Sequence, residues 1–227
     1  MNKKKLVIYG LGETADIAFE YFTHDSEYEV VAFTVDNKFL KKSVHHGLNV
    51  VEFENLEEHY PPSHYHIFAA SSYTKLNRVR TKMFKAAKSK GYTCATYISS
   101  KAFVWHNVTI GENVMIFEGN VVQHMVKIGD NVVLWSGNFI GHQTILEDNI
   151  YLSAQCVVSG FCVIGESSFL GANCTFNDFI RLGKDNIVGS GALVVKDTED
   201  GKLMIGVPAK PSSKSSYETF DVSNEWI

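Results

Sequence analysis

Large aliphatic side chains or phenylalanine stand at every sixth position from residue 98 to residue 194, without one insertion. These positions are Ile98, Val104, Ile110, Ile116, Val122, Ile128, Leu134, Ile140, Leu146, Leu152, Val158, Ile164, Leu170, Phe176, Leu182, Val188 and Val194. A period of six is neither the two-residue period of a strand nor the 3.6-residue period of a helix. It is typical of a chain that winds in flat sides of six residues, and it predicts a hexapeptide-repeat parallel β-helix.

The other positions of each hexad favour the same structure. Small or narrow residues, which can fill a corner of the coil, stand two positions before many of the large ones. They are Ala102, Val108, Val114, Val126, Val132, Thr144, Cys156, Cys162, Ser168, Cys174 and Ala192. Glycine often follows the large residue, as at Gly111, Gly129 and Gly141, where a tight turn needs its backbone freedom. Three hexads make one triangular coil, so about five coils stack over residues 99–196.

Residues 1–98 have a different sequence pattern, in which short apolar runs alternate with amphipathic stretches. Strands are predicted at residues 6–9, 28–35, 67–70 and 92–98, and helices around residues 17–22 and at 75–90. The second helix is expected to stop at Gly91. Alternating strands and helices predict a small Rossmann-like α/β domain with a parallel sheet.

A glycine-containing loop, Gly10-Leu-Gly12-Glu13-Thr-Ala15, joins the first strand to the first helix. Such a loop allows a tight turn, close approach of a phosphate group and binding of that group by amides at a helix N-terminus. Asp36 ends the second strand and could accept hydrogen bonds from a ribose hydroxyl. The alternative is that the glycines serve only strand-helix packing.

The domain is too small for two mononucleotide halves, so a nucleotide-linked substrate fits it better than a whole dinucleotide. Ser71, Ser72 and Tyr73 follow the third predicted strand. Because the carboxyl ends of parallel strands meet at one edge, these residues are expected to line the same ligand site.

Composition excludes several classes of protein. A net charge of −4 argues against a nucleic-acid partner, and no apolar run approaches the length of a membrane span. The apolar run after the N-terminal lysines is too short for a signal peptide, so a cytoplasmic protein without a membrane partner is expected. Three of the four cysteines, Cys156, Cys162 and Cys174, fall on the small interior position, which favours reduced core residues over a disulfide or metal site.

The hexads stop at Val194, and residues 197–227 form a third segment. It begins with a turn-rich exit, continues through Gly206-Val-Pro-Ala-Lys210, and ends in a Ser-rich, mostly polar stretch. Residues 211–227 are predicted to be a loosely held tail.

Three histidines, His106, His124 and His142, are 18 residues apart, and each stands two positions after a large core residue. They therefore occupy the same corner of successive coils, about 4.8 Å apart, and should form a column on the outer surface. Neutral imidazole is the usual general base near pH 7, and His142, beside Gly141, is the best candidate. Gln143, Glu118 and Glu147 are candidates for orienting its ring.

The histidine column also allows a metal site, since carbonic anhydrases of the β-helical type use histidines on this scaffold. His106 and His142 are roughly 9.6 Å apart by the coil spacing, however, whereas zinc requires its ligands about 2.0–2.1 Å from one point. No metal is therefore expected.

With the α/β segment and the hexads joined, nearly the whole chain resembles the bacterial hexapeptide-repeat sugar acyltransferases. That family includes nucleotide-amino-sugar N-acetyltransferases and sialic-acid O-acetyltransferases. The resemblance rests on the Gly10-Leu-Gly12 loop, the unbroken hexads, Ile140-Gly-His142, Val188-Gly-Ser-Gly-Ala192 and Gly206-Val-Pro-Ala-Lys210.

The resemblance implies a left-handed β-helix that assembles as a homotrimer, with acetyl-CoA in the cleft between subunits. It also implies that residues 1–98 bind the nucleotide of an amino sugar. The family's catalytic histidine maps onto His142, and its usual acidic neighbour onto Gln143, which is a departure. A second family histidine, which contacts the acyl donor, falls near Tyr151, another departure.

The same resemblance suggests a path for pantetheine along small residues of the coil turns, with Lys210 near the CoA phosphates. The path consists of Ser153, Ala154, Gly171, Ala172, Gly189, Ser190 and Gly191. An equally simple interpretation is that these residues only form hexad turns. A backbone N–H, such as that of Gly160, is expected to stabilise the oxyanion, and His124 and Asn138 to line the acceptor pocket.

The sequence therefore predicts an acetyl-CoA-dependent N-acetyltransferase that acts on a nucleotide-linked amino sugar in surface glycan biosynthesis. Direct attack by the amine on the thioester needs no enzyme nucleophile, only proximity and removal of a proton. Sugar O-acetylation, a metalloenzyme of carbonic anhydrase type and a non-catalytic nucleotide-binding scaffold remain alternatives.

Overall fold

A computed structural model describes residues 3–226 of the protein. Its N-terminal part contains five strands and three helices. They are β1 (Lys4–Tyr9), α1 (Glu13–His24), β2 (Tyr28–Val35), β3 (Val44–His45), β4 (Leu48–Glu52), α2 (Leu56–His59), β5 (Tyr65–Ala69) and α3 (Arg78–Ser89). Two short 3₁₀ turns, at Asn37–Phe39 and Phe53–Asn55, precede β3 and α2.

The five strands form one sheet in the order β3-β4-β2-β1-β5, parallel except for the β3-β4 hairpin. Helix α1 packs on one face, where Phe22 joins the core that contains Leu6 and Ile8. Helix α3 packs on the other face, where Phe84 joins the core that contains Val7. Successive residues of β1 thus point to opposite faces and bury both of them, giving the three-layer α/β arrangement.

Two predicted elements of this part differ from the structure. The strand predicted at residues 92–98 is limited to Tyr97–Ile98, which pairs with the β-helix, and Cys94 forms only an isolated parallel bridge with Ile67 of β5. Helix α3 begins at Arg78 and not at residue 75, because residues 75–77 have φ values of +50 to +65°, which a right-handed helix cannot include.

Seventeen strands of two residues each follow in the described chain, one for each hexad. They are β6 (Tyr97–Ile98), β7 (Phe103–Val104), β8 (Thr109–Ile110), β9 (Met115–Ile116), β10 (Val121–Val122), β11 (Lys127–Ile128), β12 (Val133–Leu134), β13 (Phe139–Ile140), β14 (Ile145–Leu146), β15 (Tyr151–Leu152), β16 (Val157–Val158), β17 (Val163–Ile164), β18 (Phe169–Leu170), β19 (Thr175–Phe176), β20 (Arg181–Leu182), β21 (Ile187–Val188) and β22 (Leu193–Val194).

Every third strand pairs in parallel, so the coil has three flat faces. We call the sheet that starts at β6 the first face, the sheet that starts at β7 the second face, and the sheet that starts at β8 the third face. Pairing joins residues 18 positions apart, as Ile140 pairs with Val158. The predicted parallel β-helix and its 18-residue coil are therefore confirmed.

Large hexad residues and small corner residues fill the inside of the coil together. Leu152, Cys156, Cys162 and Cys174 are fully buried there. All four cysteines are free and buried, and for Cys156, Cys162 and Cys174 the interior position was predicted. Burial raises the pKa of Cys162 to about 11, so its thiol stays protonated and unreactive.

Backbone conformation at the corners explains the recurrence of glycine and asparagine. Asn113, Asn131 and Asn149 have φ near +55 to +62°, and neighbouring side-chain amides donate to one another along this corner over 2.8–2.9 Å. At Gly141 a Cβ atom would lie 2.5 Å from the backbone nitrogen of Gly160, so no side chain fits. Short parallel strands with such turns fit a left-handed β-helix.

The predicted loose tail is wrong for the described residues of the C-terminal segment. β23 (Lys202–Gly206) extends the first face, β24 (Ala209–Ser215) pairs antiparallel with it, and α4 (Ser216–Thr219) and a 3₁₀ turn (Asn224–Trp226) follow. The segment folds back because Val222 packs against Leu76 of the N-terminal part, where Phe220 also contacts Tyr73. Residue 227 lies outside the described residues.

The N-terminal part covers the first face of the β-helix. Met115, Val133 and Tyr151, which point outward from this face, belong to the same apolar core as Phe68 of β5. Arg80 of α3 is buried at the junction, where its Nη2 donates to the carbonyl oxygens of Asn131 (3.0 Å) and Ile150 (3.1 Å). These contacts fix the two parts relative to each other. None of the helices among residues 3–226 has the length and hydropathy that crossing a bilayer would take.

Candidate active site

The predicted histidine column lies at the corner between the second and third faces. The rings of His124 and His142 are 5.5 Å apart between centroids, as expected for adjacent coils. His106 and His124 are exposed, whereas His142 is half-buried. His142 is therefore the member of the column with the most restricted ring.

Two contacts hold the ring of His142. Phe161 meets it edge-on at 4.9 Å between centroids. Gly160 lies under it, since a Cβ atom there would be 2.8 Å from Cε1 and 2.9 Å from Nε2 of His142. The absence of a side chain at residue 160 thus makes room for the imidazole.

The nitrogen Nδ1 of His142 is buried and, among the described residues, has no hydrogen-bond partner. Gln143 does not orient the ring as expected, because the backbone of Gln143 has a left-handed φ of +60° and its N–H donates to the carbonyl of His124. Glu118 accepts instead from Ser136 and Tyr21, and Glu147 accepts from the N–H of Glu166. The ring is held by packing and not by a carboxylate or amide.

The N–H of Gly160 is already engaged, contrary to its predicted use as an oxyanion donor. It donates to Oδ1 of Asp178, one coil further on, at 2.8 Å. An acyl oxygen at this N–H would have to displace the Asp178 carboxylate. The sequence analysis missed this competition, although the same contact recurs at another corner, where Oδ1 of Asp130 accepts from the N–H of Glu112.

An apolar column beside the histidines was missed by the sequence analysis. Phe161 and Phe179 stack at 4.8 Å, and 40% and 70% of their surfaces are exposed. Met125 and Gln143 occupy the same position of the two preceding coils. The signal was available in the 18-residue spacing, which places residues 125, 143, 161 and 179 on one line.

Small residues of the predicted pantetheine path lie at a different corner, between the first and second faces. There Ser153 and Ala154 follow β15, Gly171 and Ala172 follow β18, and Gly189, Ser190 and Gly191 follow β21. They form a shallow line parallel to the axis of the coil. Lys210, which is exposed on β24, lies opposite Ile205, whose Cγ2 would be 3.1 Å from a Cβ at Gly189. The lysine is thus near one end of this path.

Two predicted site residues, Asn138 and Tyr151, lie neither on the histidine column nor on the pantetheine path. Asn138 is 1% exposed inside the coil, where Oδ1 accepts from the N–H of Cys156 and Nδ2 donates to the carbonyl of Trp135. Tyr151 is buried at the junction with the N-terminal part, edge-on to Tyr73 at 5.1 Å. Asn138 therefore serves the coil, whereas Tyr151 packs at the junction and forms part of the wall of a cavity there.

A cavity of about 890 Å³ opens at the carboxyl edge of the α/β sheet. Six predicted residues line it: Gly10, Gly12, Glu13, Asp36, Ser71 and Ser72. Gly10 has φ +137°, and a Cβ there would be 2.6 Å from the carbonyl oxygen of Ala70. The loop passes this close to β5 only with glycine at residue 10, which leaves the start of α1 facing the cavity.

Further residues of this cavity were missed by the sequence analysis. Tyr9 stacks on Phe53 at 4.2 Å, and its hydroxyl donates to Asp36. Burial and this hydrogen bond raise the pKa of Tyr9 well above its ordinary value, so the hydroxyl remains a donor. Lys82 and Trp226 complete the wall from α3 and from the C-terminal segment.

Tyr73 does not line the large cavity but an adjoining one of about 310 Å³, which shares Glu13, Ser71 and Ser72 with it. The smaller cavity continues inward between the N-terminal part and the first face, and Arg80 and Tyr151 form part of its wall. Burial lowers the pKa of Arg80 to about 10, so its guanidinium is still charged at neutral pH.

The cavity and His142 lie on opposite sides of one chain. The N-terminal part covers the first face, whereas His142 stands at the corner between the other two faces. In a triangular coil that corner is the one opposite the first face. A ligand in the cavity therefore faces away from His142 of the same chain.

Comparison with solved structures finds similar proteins over almost the whole chain. The acetyltransferase domain of PglB from Neisseria gonorrhoeae, in complex with acetyl coenzyme A, has 26% identity and a TM-score of 0.82, and the match covers 92% of this chain and 100% of that one. PerB from Caulobacter crescentus, in complex with CoA and GDP-perosamine, has 27% identity and a TM-score of 0.80 over 92% and 97% of the two chains.

A third structure, WeeI from Acinetobacter baumannii, shares the fold with a TM-score of 0.72 at 17% identity, over 91% of this chain and 99% of that one. No family model matches the sequence, and no curated protein matches it. The similarity therefore rests on the fold together with 26–27% identity to the PglB acetyltransferase domain and to PerB.

Proposed function

The chain has the fold of the hexapeptide-repeat sugar acyltransferases, as its sequence predicted, and on this premise we propose that it transfers the acetyl group of acetyl-CoA to the amino group of a nucleotide-linked amino sugar. The reaction belongs to surface glycan biosynthesis. Acetyl-CoA is the acyl donor, and no metal takes part in the transfer.

One observation carries this proposal: the chain combines a cavity of nucleotide size at a sheet edge with a histidine seated on a coil turn. The perosamine N-acetyltransferase of Caulobacter crescentus, which binds CoA and GDP-perosamine, has the same fold at 26% identity. One of its solved structures carries asparagine in place of a histidine, which supports a functional histidine in that enzyme.

In the proposed mechanism His142 is the general base. Nε2 accepts a proton from the sugar amine as the nitrogen attacks the carbonyl carbon of the thioester, and a C–N bond forms. The tetrahedral intermediate then expels the CoA thiolate, which takes up the proton from Nε2 of His142 to give the free thiol and restore the neutral base. Nδ1 of His142 has no hydrogen-bond partner among residues 3–226, so the imidazolium gains its stability from the bound substrates and from the neighbouring subunit.

The acyl oxygen needs a donor as its negative charge develops. We infer that the N–H of Gly160 fills this role only after Asp178 turns away. Removal of a carboxylate from this point also removes a negative charge from the place where the oxyanion forms.

We infer a homotrimer, because the cavity and His142 of one chain face opposite directions. A cyclic trimer sets the covered first face of one chain beside the histidine corner of the next, and three copies close the ring. The path of small residues then lies in the cleft between chains. Phe161 and Phe179, which are exposed in a single chain, become buried there, and light scattering should give three chains per particle.

Within this assembly we infer a separate function for each of the three segments of the chain. Residues 1–98 bind the nucleotide in a Rossmann-like manner, with the start of α1 toward the phosphates and Asp36 toward the ribose. Residues 99–196 form the left-handed β-helix that carries the transfer, with His124 beside the acceptor. Residues 197–227 close the end of the coil, and the protein is cytoplasmic, where acetyl-CoA is available.

A carbonic anhydrase type of site has no support in the geometry of the column. Zinc needs three ligands around one point. Within residues 3–226, the one group of three potential ligand side chains whose atoms lie within 4.8 Å of one another does not include His106, His124 or His142.

The test is release of free thiol from acetyl-CoA in the presence of a panel of nucleotide-linked amino sugars. One or more of them should give turnover, and His142→Asn should lower it by at least about 100-fold without a change in melting temperature. His106→Asn, on the same column but exposed, is the matched control and should keep most of the activity. Equal activity of His142→Asn and the control would contradict the assignment.

A further inference from the structure

Two histidines and a carboxylate converge on the N-terminal part, away from the histidine column. His45 Nε2 lies 2.6 Å from Oδ1 of Asp16, and His46 Nε2 lies 2.9 Å from the same oxygen. The three ligand atoms all lie within 4.8 Å of one another. Imidazole nitrogen and carboxylate oxygen are ligands that zinc prefers.

We propose that Asp16, His45 and His46 form a binding site for a divalent transition metal, with Zn²⁺ as the best match. The site was not expected from the sequence, where a metal was weighed only for the cysteines and for the histidines of the β-helix. It does not depend on the acetyl transfer proposed above, since no group of that reaction is part of it.

The tight turn of the β3-β4 hairpin brings the two rings together. His46 and Gly47, with φ of +47° and +75°, form the tight turn between β3 and β4. Adjacent residues of a strand point to opposite faces, but the left-handed turn residue His46 breaks this alternation. Both imidazoles therefore reach the same carboxylate on α1.

Aromatic contacts fix the rings before any ion binds. His46 stacks on Phe19 at 4.5 Å with an interplanar angle of 12°, and His45 meets Phe33 edge-on at 4.7 Å. The side chain of His45 is only 11% exposed, whereas that of Asp16 is 45% exposed. Two ligands are thus preorganised, and the third faces solvent, from which the ion and a water ligand can enter.

The distances between the ligand atoms need little adjustment to accommodate a zinc ion. With metal–ligand bonds of about 2.0–2.1 Å, tetrahedral ligands around zinc are roughly 3.3 Å apart. The contacts of Asp16 with His45 and His46 would have to lengthen by about 0.7 and 0.4 Å. A rotation of the half-exposed Asp16 side chain supplies this movement without a change in the backbone.

The side chain of Lys42 opposes metal binding at His45. Lys42 donates to Nδ1 of His45, so the proton of that ring is on Nε2 in this structure. A metal at Nε2 requires the proton on Nδ1, where an ammonium cannot accept a hydrogen bond. Lys42 is exposed and must swing away on binding. A carboxylate at residue 42 would instead accept from Nδ1 and strengthen the site.

A metal ion bound at this site would hold two walls of the nucleotide cavity together. The segment that contains Asp36, Lys38 and Phe39 leads into the β3-β4 hairpin, and α1 begins at the opposite wall with Glu13. A metal between the hairpin and Asp16 therefore holds this segment against α1. The expected effect is a higher melting temperature of the protein.

The test is titration calorimetry of the full-length protein, stripped with EDTA, using zinc chloride alone. His45→Gln and His46→Gln should each lose one equivalent of bound zinc relative to the wild type, or bind that equivalent at least tenfold more weakly. His24→Gln, an exposed histidine at the end of the same helix, is the matched control and should titrate like the wild type. Lys42→Glu should bind that equivalent more tightly.

The change in melting temperature on adding zinc is a second measurement, which can be made even if a histidine variant is destabilised. Zinc should raise the melting temperature of the wild type, the His24→Gln variant and the Lys42→Glu variant, and should raise it less in the His45→Gln and His46→Gln variants. The same number of equivalents with unchanged affinity in the wild type and both histidine variants would overturn the proposal. Weaker binding of this equivalent of zinc by the Lys42→Glu variant would also overturn the proposal.

Discussion

Gly160 offers a quantitative test of how the ring of His142, the proposed general base, is seated. In Gly160→Ala the new Cβ would start 2.8 Å from Cε1 of His142, whereas carbon atoms in contact prefer about 3.5–4.0 Å. The imidazole must therefore move by roughly 0.7 Å or more, since the coil backbone is held by pairing on both sides. A misplacement of this size costs about 100-fold in turnover, equivalent to about 2.7 kcal/mol of the activation barrier.

The stability of Gly160→Ala should change much less than its activity. The φ of Gly160 is not in the left-handed region, so alanine introduces no backbone strain. The crowded neighbour is a ring that can tilt toward solvent, and the cost of overpacking should stay at about 1–2 kcal/mol. The turnover number is measured by thiol release at saturating substrates, and the free energy of unfolding by urea denaturation.

A double-mutant cycle separates displacement of the ring from general damage. In the His142→Asn background the Gly160→Ala substitution should have almost no further effect on turnover, because the group it displaces is already lost. A hundredfold loss in both backgrounds would refute the reasoning, and so would a single variant that keeps half of the wild-type turnover.

Three other predictions concern the oxyanion donor and the joins between the two parts of the chain. Asp178→Ala frees the N–H of Gly160, and we expect kcat/KM for acetyl-CoA to rise a few-fold in steady-state assays; a fall would show that Asp178 has another role. Leu76→Ala removes a fully buried side chain between the N-terminal part and the C-terminal segment and should lower the free energy of unfolding by about 2–5 kcal/mol in urea. The N–H of Ser100 and the hydroxyl of Tyr97 hold the pKa of Asp25 below its usual value, so its contribution to stability is complete above about pH 4 and declines as the pH falls through the lowered pKa. Asp25→Asn should therefore show a smaller loss of melting temperature between pH 5 and pH 3 than the wild type, and identical pH profiles would contradict this.

The period of six was sufficient to predict the β-helix, because each coil repeats the same local rule and the register follows from counting. The 18-residue interval predicted the pairing of Ile140 with Val158 and the approach of His124 to His142. Residues at the sheet edge, such as Gly10 and Asp36, were also predictable, since topology alone brings them to one cavity.

Other features depend on contacts between distant parts of the chain, which no local pattern encodes. Tyr151 stands at an outward position of its coil, and only the packing of the N-terminal part on the first face buries it. Asp16 and His45 are separated by 29 residues and meet only after the hairpin docks on α1.

The position of the nucleotide cavity opposite the histidine corner has a genetic consequence. If each active site takes its cavity from one chain and its His142 from the next, two different inactive variants can restore each other when they are expressed together. In a random equal mixture of a cavity variant and a His142 variant, about one site in four combines two intact halves, so roughly a quarter of the wild-type activity should return. A chain that carries both substitutions would rescue neither variant.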